Sequence, residues 1–282
     1  MNVERDLVFV DQRGTGRSNE LVCPPPPAGV DLDQDASALT TYVRRCLAGI
    51  DADPAFYTTA MYVDDVADVV AALEYDQVNL YGGSYGATVA QVFLRRHDEL
   101  VRTMTLSGGT LLDLPIFELI AQNSAGALEA VFTRCAADAT CSTAFPRVRG
   151  EWQQLLDDVA AAGSYYGHAM LTASRWWQRA CGMFPRSNAA ADYGEARVTD
   201  VPVLNLNGDA DPQDPPANMV GAGSIWPNSR QLVEPGQAHG ISAWPCRASV
   251  IAAFIEQGAG DGVDATCLDT VPVPRFSTAI GG

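Results

Sequence analysis

Ser84 stands in the stretch Gly82-Gly-Ser-Tyr-Gly86, directly after the apolar run Gln77-Val-Asn-Leu-Tyr81 and directly before an apolar helical stretch reaching about Arg96. A serine hydroxyl is a weak nucleophile alone; it attacks a carbonyl where a base takes its proton and N–H donors hold the oxyanion that forms. A G-x-S-x-G between a strand and a helix suits that work. The serine sits on a sharp, strained turn that lifts its Oγ above the strand ends, and Gly82 and Gly86 leave space for the crowded backbone. The helix that starts there aims backbone N–H groups at the site, with the Tyr85 amide as one oxyanion donor. By itself the motif is a weak signal, because a glycine-rich strand-to-helix turn needs no chemistry to justify it.

A base and an acid must therefore be found elsewhere. In α/β-hydrolases they follow the serine in the order acid, then histidine, at the ends of two later strands. The chain holds three histidines. His97, among Arg95, Arg96 and Asp98, reads as a solvated residue at a helix end. His168 precedes every acid candidate and stands in the wrong order. His239, just past the strand-like run Ser229 to Val233, is the base. The acid comes from Asp209, Asp211 and Asp214, which share one loop after the run Val201 to Leu206; Asp211 ranks first, and the other two read as shaping the loop. A calcium loop of the D-x-D-x-D-G kind is a rival reading of that segment, disfavoured by the spacing and by the missing Gly and Glu.

The elements that position these residues alternate along the chain. Leu7-Val-Phe-Val10 reads as a buried parallel strand ended by the turn Asp11-Gln-Arg-Gly14. Helical periodicity covers Ala36 to Leu47 and Thr59 to Leu73, the second with Thr59 as N-cap. Strands follow at Gln77–Tyr81, Val101–Leu106, Val201–Leu206 and Ser229–Val233, and a last helix at Ala248–Gln257. The alternation predicts a mostly parallel sheet with helices on both faces, a core of residues 1–110 and 199–282, and a reduced helical lid over residues 111–198.

A formal net charge of −16, with all eighteen basic residues arginine, disfavours nucleic acid and anionic membrane surfaces as partners. No apolar run is long enough to span a bilayer, and the charged start lacks the apolar centre of a secretory signal. Seven cysteines, none in a C-x-x-C pair, read as disulfides. Many pairings are open. A short polar loop separates Cys135 from Cys141, Cys23 and Cys46 flank a tetraproline segment, and Cys246 and Cys267 flank the C-terminal helix, which leaves Cys181 free. Bridged cysteines imply a secreted or extracytoplasmic protein whose export signal is not in this chain.

Taken together, Asp11-Gln-Arg-Gly-Thr-Gly-Arg-Ser18, Tyr81-Gly-Gly-Ser-Tyr-Gly86, Gly208-Asp-Ala-Asp-Pro212 and Ala238-His-Gly240 resemble the secreted tripeptidyl aminopeptidases, relatives of proline iminopeptidase within the α/β-hydrolase superfamily. The resemblance covers about residues 6 to 150 and 175 to 275 and includes the six cysteines other than Cys181. It implies an α/β-hydrolase fold, the triad Ser84, Asp211 and His239, and exopeptidase action on free N-termini. It also implies, ahead of the Leu7 run, a segment with N-terminal strands and a His-Gly-Gly-Pro-Gly type loop that carries the second oxyanion N–H, one of those strands lying between the Leu7 and Gln77 strands in the sheet; nothing in this sequence replaces that segment. Glu118, Glu129 and Glu151 read as solvated helix residues rather than as a grip on the substrate ammonium.

A reduced lid leaves an open, apolar site lined by Tyr85, Trp176, Trp177 and Phe184, which suits small acyl esters better than peptides. The first expectation is a carboxylesterase that needs no metal or cofactor. The second is an aminopeptidase releasing short N-terminal peptides. The third is a catalytically weak, truncated remnant that binds ligands without turning them over. The oligomeric state is not legible.

Overall fold

The computed structural model describes residues 5–32, 35–161, 180–184, 193–240 and 245–278. They fall into two compact units, one of residues 1–9, 63–146 and 190–282 and one of residues 10–62 and 147–189.

The first unit is built on a parallel sheet of β1 (Val78–Gly83), β2 (Val101–Ser107), β3 (Val203–Gly208) and β4 (Ser229–Glu234), paired in that order. The two central strands are almost wholly buried, polar Thr103, Thr105, Asn205 and Asn207 included, as strands covered on both faces of a parallel sheet are. Met104, Leu106 and Val203 on one face pack with Val63 of α2 (Thr59–Ala72) and with Ala87, Ala90 and Phe93 of α3 (Tyr85–Arg96). The same cluster takes in Trp226 beside the short α7 (Ala222–Ile225). Leu204 and Leu206 on the other face pack with Val250, Ile251 and Phe254 of α8 (Pro245–Gln257). Each such fully buried side chain contributes roughly 1.5–3 kcal/mol.

Helices α4 (Ile116–Ala137) and α5 (Ala139–Ala144) follow β2 and are joined by the Cys135–Cys141 bridge. Cys246–Cys267 ties α8 to the 3₁₀ turn Thr266–Thr270. In the second unit, α1 (Ala36–Gly49) is capped by Asp35, whose carboxylate accepts the Ser37 and Ala38 amides at 2.9 Å each. Leu39 and Val43 of α1 pack with Ala180, and Cys46 is bridged to Cys23. Helix α6 (Val148–Ala161) belongs to this unit by sequence, and Cys181 is unbridged and exposed.

Several expectations need correction. Leu7–Val10 is not a strand: Leu7 is 49%, Val8 51% and Phe9 88% exposed, and β1 is the sheet edge among the described residues. An apolar β-branched run becomes a strand only where another strand offers it a ladder, and none among the described residues does. Helix α2 begins at Thr59, so its cap is Thr58, whose Oγ1 accepts the Met61 amide at 3.3 Å. Strand β3 starts two residues late because Pro202 has no N–H for a ladder. Helix α8 starts earlier than expected, with Pro245 at its first position, where a missing N–H costs nothing.

Candidate active site

Register decides which loops meet. Gly83 pairs with Ser107, Ser107 with Leu206, and Gly208 with Glu234, so β1 and β2 end level with each other and β3 and β4 end level with each other two residues further along the same edge. The loops beginning at Ser84, Gly108, Asp209 and Pro235 therefore leave the same edge of the sheet, the edge at which parallel α/β sheets place their ligands.

Ser84 is the first of these. Its backbone has φ 52° and ψ −123°, a left-handed conformation that a non-glycine residue adopts at a cost of about 1–3 kcal/mol. Its N–H donates to the Ser107 carbonyl at 2.9 Å and its carbonyl accepts the Ala87 amide at 2.8 Å, which holds the strained turn between strand and helix. Gly82 is required here because a Cβ on it would run into the Gly86 carbonyl; Gly86 itself has open space around its Cβ position, so the expected spatial need for a second glycine does not hold. Tyr85 begins α3, with its amide in the first turn and its side chain half-exposed.

His239 follows β4. Its Nε2 lies 2.9 Å from Ser84 Oγ and its Nδ1 lies 2.9 Å from Asp211 Oδ2. A carboxylate can only accept, so Nδ1 carries the imidazole proton and Nε2 is left as the acceptor facing the serine hydroxyl. Asp211 is 1% exposed, and its Oδ1 accepts the Gln213 and Asp214 amides at 2.8 and 2.9 Å. The loop closes on its own acid. Gly108, at φ 56°, lets the turn after β2 approach the histidine: a Cβ there would stand 3.3 Å from Nδ1 and 3.6 Å from Asp211 Oδ2.

The three acid candidates part company in the structure. Asp209 accepts the Gly236 amide at 2.6 Å and ties the two loops together, as its loop-shaping role requires. Asp211 faces the histidine. Asp214 does more than shape the loop: its Oδ2 lies 3.3 Å from His239 Nδ1, and burial pushes its carboxyl above the ordinary range, against the opposing pull of the Thr110 hydroxyl and His239. Asp211, Asp214 and His239 bring ligand atoms within 4.8 Å of one another, a spacing a metal would also use. Here the bonds to Ser84, to the imidazole N–H and to the loop amides already account for those atoms.

Residues that the sequence reading passed over hold this loop. Asn207 donates to the Asp214 carbonyl at 2.9 Å and to the Gly109 carbonyl at 3.1 Å. Asn123 and Ser124 of α4 donate to the Gln213 and Pro212 carbonyls at 3.0 and 3.3 Å. Beneath the histidine loop, buried Arg247 of α8 pairs with Glu234 at 2.8 Å and also donates to the Ser107 hydroxyl. Burial raises the Glu234 carboxyl, with Arg247 opposing. The signal that would have found these residues is the strand ends themselves, since Ser107-Gly-Gly-Thr110 had to leave beside Ser84.

Trp176, Trp177 and His168 lie outside the described residues, and Phe184 is 41% exposed in the second unit. Glu118, Glu129 and Glu151 are exposed. His97 is not simply solvated: its Nε2 lies 2.9 Å from Asp64 Oδ1, a carboxylate that also takes two hydrogen bonds from Arg96.

Residues 3–244 match the profile of the alpha/beta hydrolase fold family. A 62-residue stretch is 38% identical to 2-hydroxymuconate semialdehyde hydrolase of Pseudomonas sp. (strain CF600), spanning 22% of each chain. Among solved structures, proline iminopeptidase of Mycobacterium smegmatis is similar at 15% identity over 74% of each chain, with a TM-score of 0.43. An alpha/beta hydrolase enzyme from a Medee basin deep-sea metagenome library is similar at 16% identity over 74% of this chain and 73% of that one, with a TM-score of 0.40. No helix among the described residues is long and apolar enough to cross a membrane.

Proposed function

The chain belongs to the alpha/beta hydrolase fold family, and from that premise we propose that it is a serine hydrolase working through an acyl-enzyme, most readily a carboxylesterase on small acyl esters. The observation that carries this reading is the unbroken relay from Ser84 Oγ through both nitrogens of His239 to Asp211, with 2.9 Å at each step. In it, His239 Nε2 takes the hydroxyl proton as Ser84 attacks the acyl carbonyl, and Asp211 holds the tautomer and stabilises the imidazolium. The proton then passes to the leaving alcohol. A water activated by the same nitrogen hydrolyses the acyl-enzyme and regenerates Ser84. The Tyr85 amide, at the N-terminal end of α3, is the proposed oxyanion donor.

Tyr85, half-exposed beside the nucleophile, supports an open site suited to small apolar acyl groups. The three disulfides support an extracytoplasmic protein. A second reading, an aminopeptidase of the tripeptidyl type, is favoured by the Asp11-Gln-Arg-Gly-Thr-Gly-Arg-Ser18 and Gly208-Asp-Ala-Asp-Pro212 motifs.

The test is a paired assay of p-nitrophenyl butyrate and an Ala-Ala-Pro anilide with a free N-terminus, wild type against Ser84→Ala. Ester turnover that vanishes in the variant, with the anilide intact, is the expected result. Anilide cleavage abolished by blocking the N-terminus would establish the aminopeptidase. No turnover of either substrate would mean a weak remnant.

A further inference from the structure

Two buried carboxylates, not one, converge on the imidazole nitrogen that faces away from the nucleophile. Asp211 Oδ2 stands 2.9 Å and Asp214 Oδ2 3.3 Å from His239 Nδ1, with the two side chains 1% and 3% exposed. Nothing about an acid three residues further along the same loop requires this. Asp214 is turned there by a directed chain of donors. Asn218 Nδ2 donates to Thr110 Oγ1 at 2.8 Å, which leaves the Thr110 proton to go to Asp214 Oδ1. That bond keeps Oδ1 an acceptor and presents Oδ2 to the histidine. Thr110 is itself pinned through its carbonyl by buried Gln91 of α3 at 2.9 Å, so the chain is anchored on the helix that directly follows Ser84.

We propose that Asp214 is a second positioning carboxylate for His239, sharing with Asp211 the imidazole N–H and the positive charge that forms when Ser84 gives up its proton. The proposal rests on the serine-hydrolase reading and deepens it. The other ionisable groups on the surrounding elements are already engaged: Asp209 with the Gly236 amide and Glu234 with Arg247. Ser84 occupies the far nitrogen, and the Gly108 backbone lies against Nδ1. Asp211 and Asp214 are thus the charges the described residues bring to the ring.

Two consequences separate this role from mere loop packing. Removing one of two anions beside a histidine lowers the pH at which it protonates, by about one unit or more. Asp214→Asn, nearly the same shape, therefore moves the His239 titration and the acid limb of kcat/KM to lower pH. Loss of a sole triad acid costs about 10⁴-fold. With Asp214 standing by, Asp211→Asn loses well under that, and the Asp211→Asn/Asp214→Asn double variant falls the rest of the way, so the two losses do not multiply.

The experiment is an NMR pH titration of the imidazole protons of the full chain, with the His239 signal assigned through His239→Gln, run on wild type, Asp214→Asn and the loop control Asp209→Asn. Kinetics of p-nitrophenyl butyrate hydrolysis by the Asp211 and Asp214 single and double variants run beside it. A lowered His239 midpoint in Asp214→Asn alone is the expected result. An unmoved midpoint, or an Asp211→Asn enzyme as inactive as the double variant, overturns the proposal. Should Asp214→Asn fail to fold, Asp211→Asn decides, since its residual turnover requires Asp214. The titration needs no substrate, so an inactive protein would sink the hydrolase reading while still answering for Asp214.

Discussion

The two sides of the sheet's reactive edge are built to different standards. On the β3–β4 side the acid and base loops are braced from below by Arg247, from the side by Asn123 and Ser124, and internally by Asp209 and Asn207. The four carboxylates there each have a partner: Asp209 the Gly236 amide, Asp211 and Asp214 the His239 ring, and Glu234 the Arg247 guanidinium. On the β1 side the nucleophile sits at the end of an edge strand, and the apolar segment Leu7–Phe9 of the same unit lies exposed without a ladder. Chemistry that depends on moving a proton is therefore fully equipped. The oxyanion donor proposed above, the Tyr85 amide, lies on this less braced side, at the start of α3. Under the serine-hydrolase reading proposed above, that contrast suits activated esters, whose good leaving groups need less oxyanion stabilisation than amides do.

The bracing is tested most severely at Glu234. Replacing it with Gln leaves the buried Arg247 guanidinium without its counter-charge, and breaking a buried pair from one side costs about 3–5 kcal/mol. The urea midpoint of Glu234→Gln should fall accordingly. Glu234→Leu combined with Arg247→Met, which removes both charges, should recover much of the loss. A Glu234→Gln midpoint within about 0.5 kcal/mol of wild type would mean that the two sides do not differ in the way argued here.

A smaller effect is expected where the dense side touches the ring. Gly108→Ala forces a side chain into a left-handed backbone, at roughly 1–2 kcal/mol, and sets its methyl 3.3 Å from His239 Nδ1. Displacing a catalytic group by about 1 Å can cost on the order of 10²-fold in rate. Ester turnover should thus fall far more than the melting temperature does. Loss of stability with turnover per folded molecule unchanged would show that the turn after β2 only packs against the ring and does not place it.

The same contrast explains what could be read from the sequence. Ser84 and His239 can be picked out because each stands where a strand-like run ends in a turn, and β1 through β4 because each such run carries apolar residues, although only the central β2 and β3 are buried on both faces. What escaped was non-local. Leu7–Val10 has the composition of a strand, but pairing depends on a neighbour that composition does not reveal. His97 reads as a surface residue until Asp64, on another helix, is brought to it. Thr58 and Thr59 are equivalent caps on paper, and only the first turn of α2 distinguishes them. Asp214 looked like one more loop acid because the donors that aim it, Thr110 and Asn218, come from two different strand ends.

The thin side offers the smallest expected effect and the sharpest check on its own description. Phe9 is 88% exposed, and replacing an exposed apolar residue that touches no special feature changes stability by no more than about 0.5 kcal/mol. Phe9→Ser should therefore leave the urea midpoint and p-nitrophenyl butyrate turnover near wild type. It should also improve solubility, since an exposed apolar segment is a place where chains associate. Static light scattering of wild type and variant over a concentration series reads that second effect. A drop in stability of 2 kcal/mol or more, on the order of what burying one large apolar side chain contributes, would show that Phe9 is covered in solution. The two sides of the edge would then be more alike than the exposure of this segment indicates.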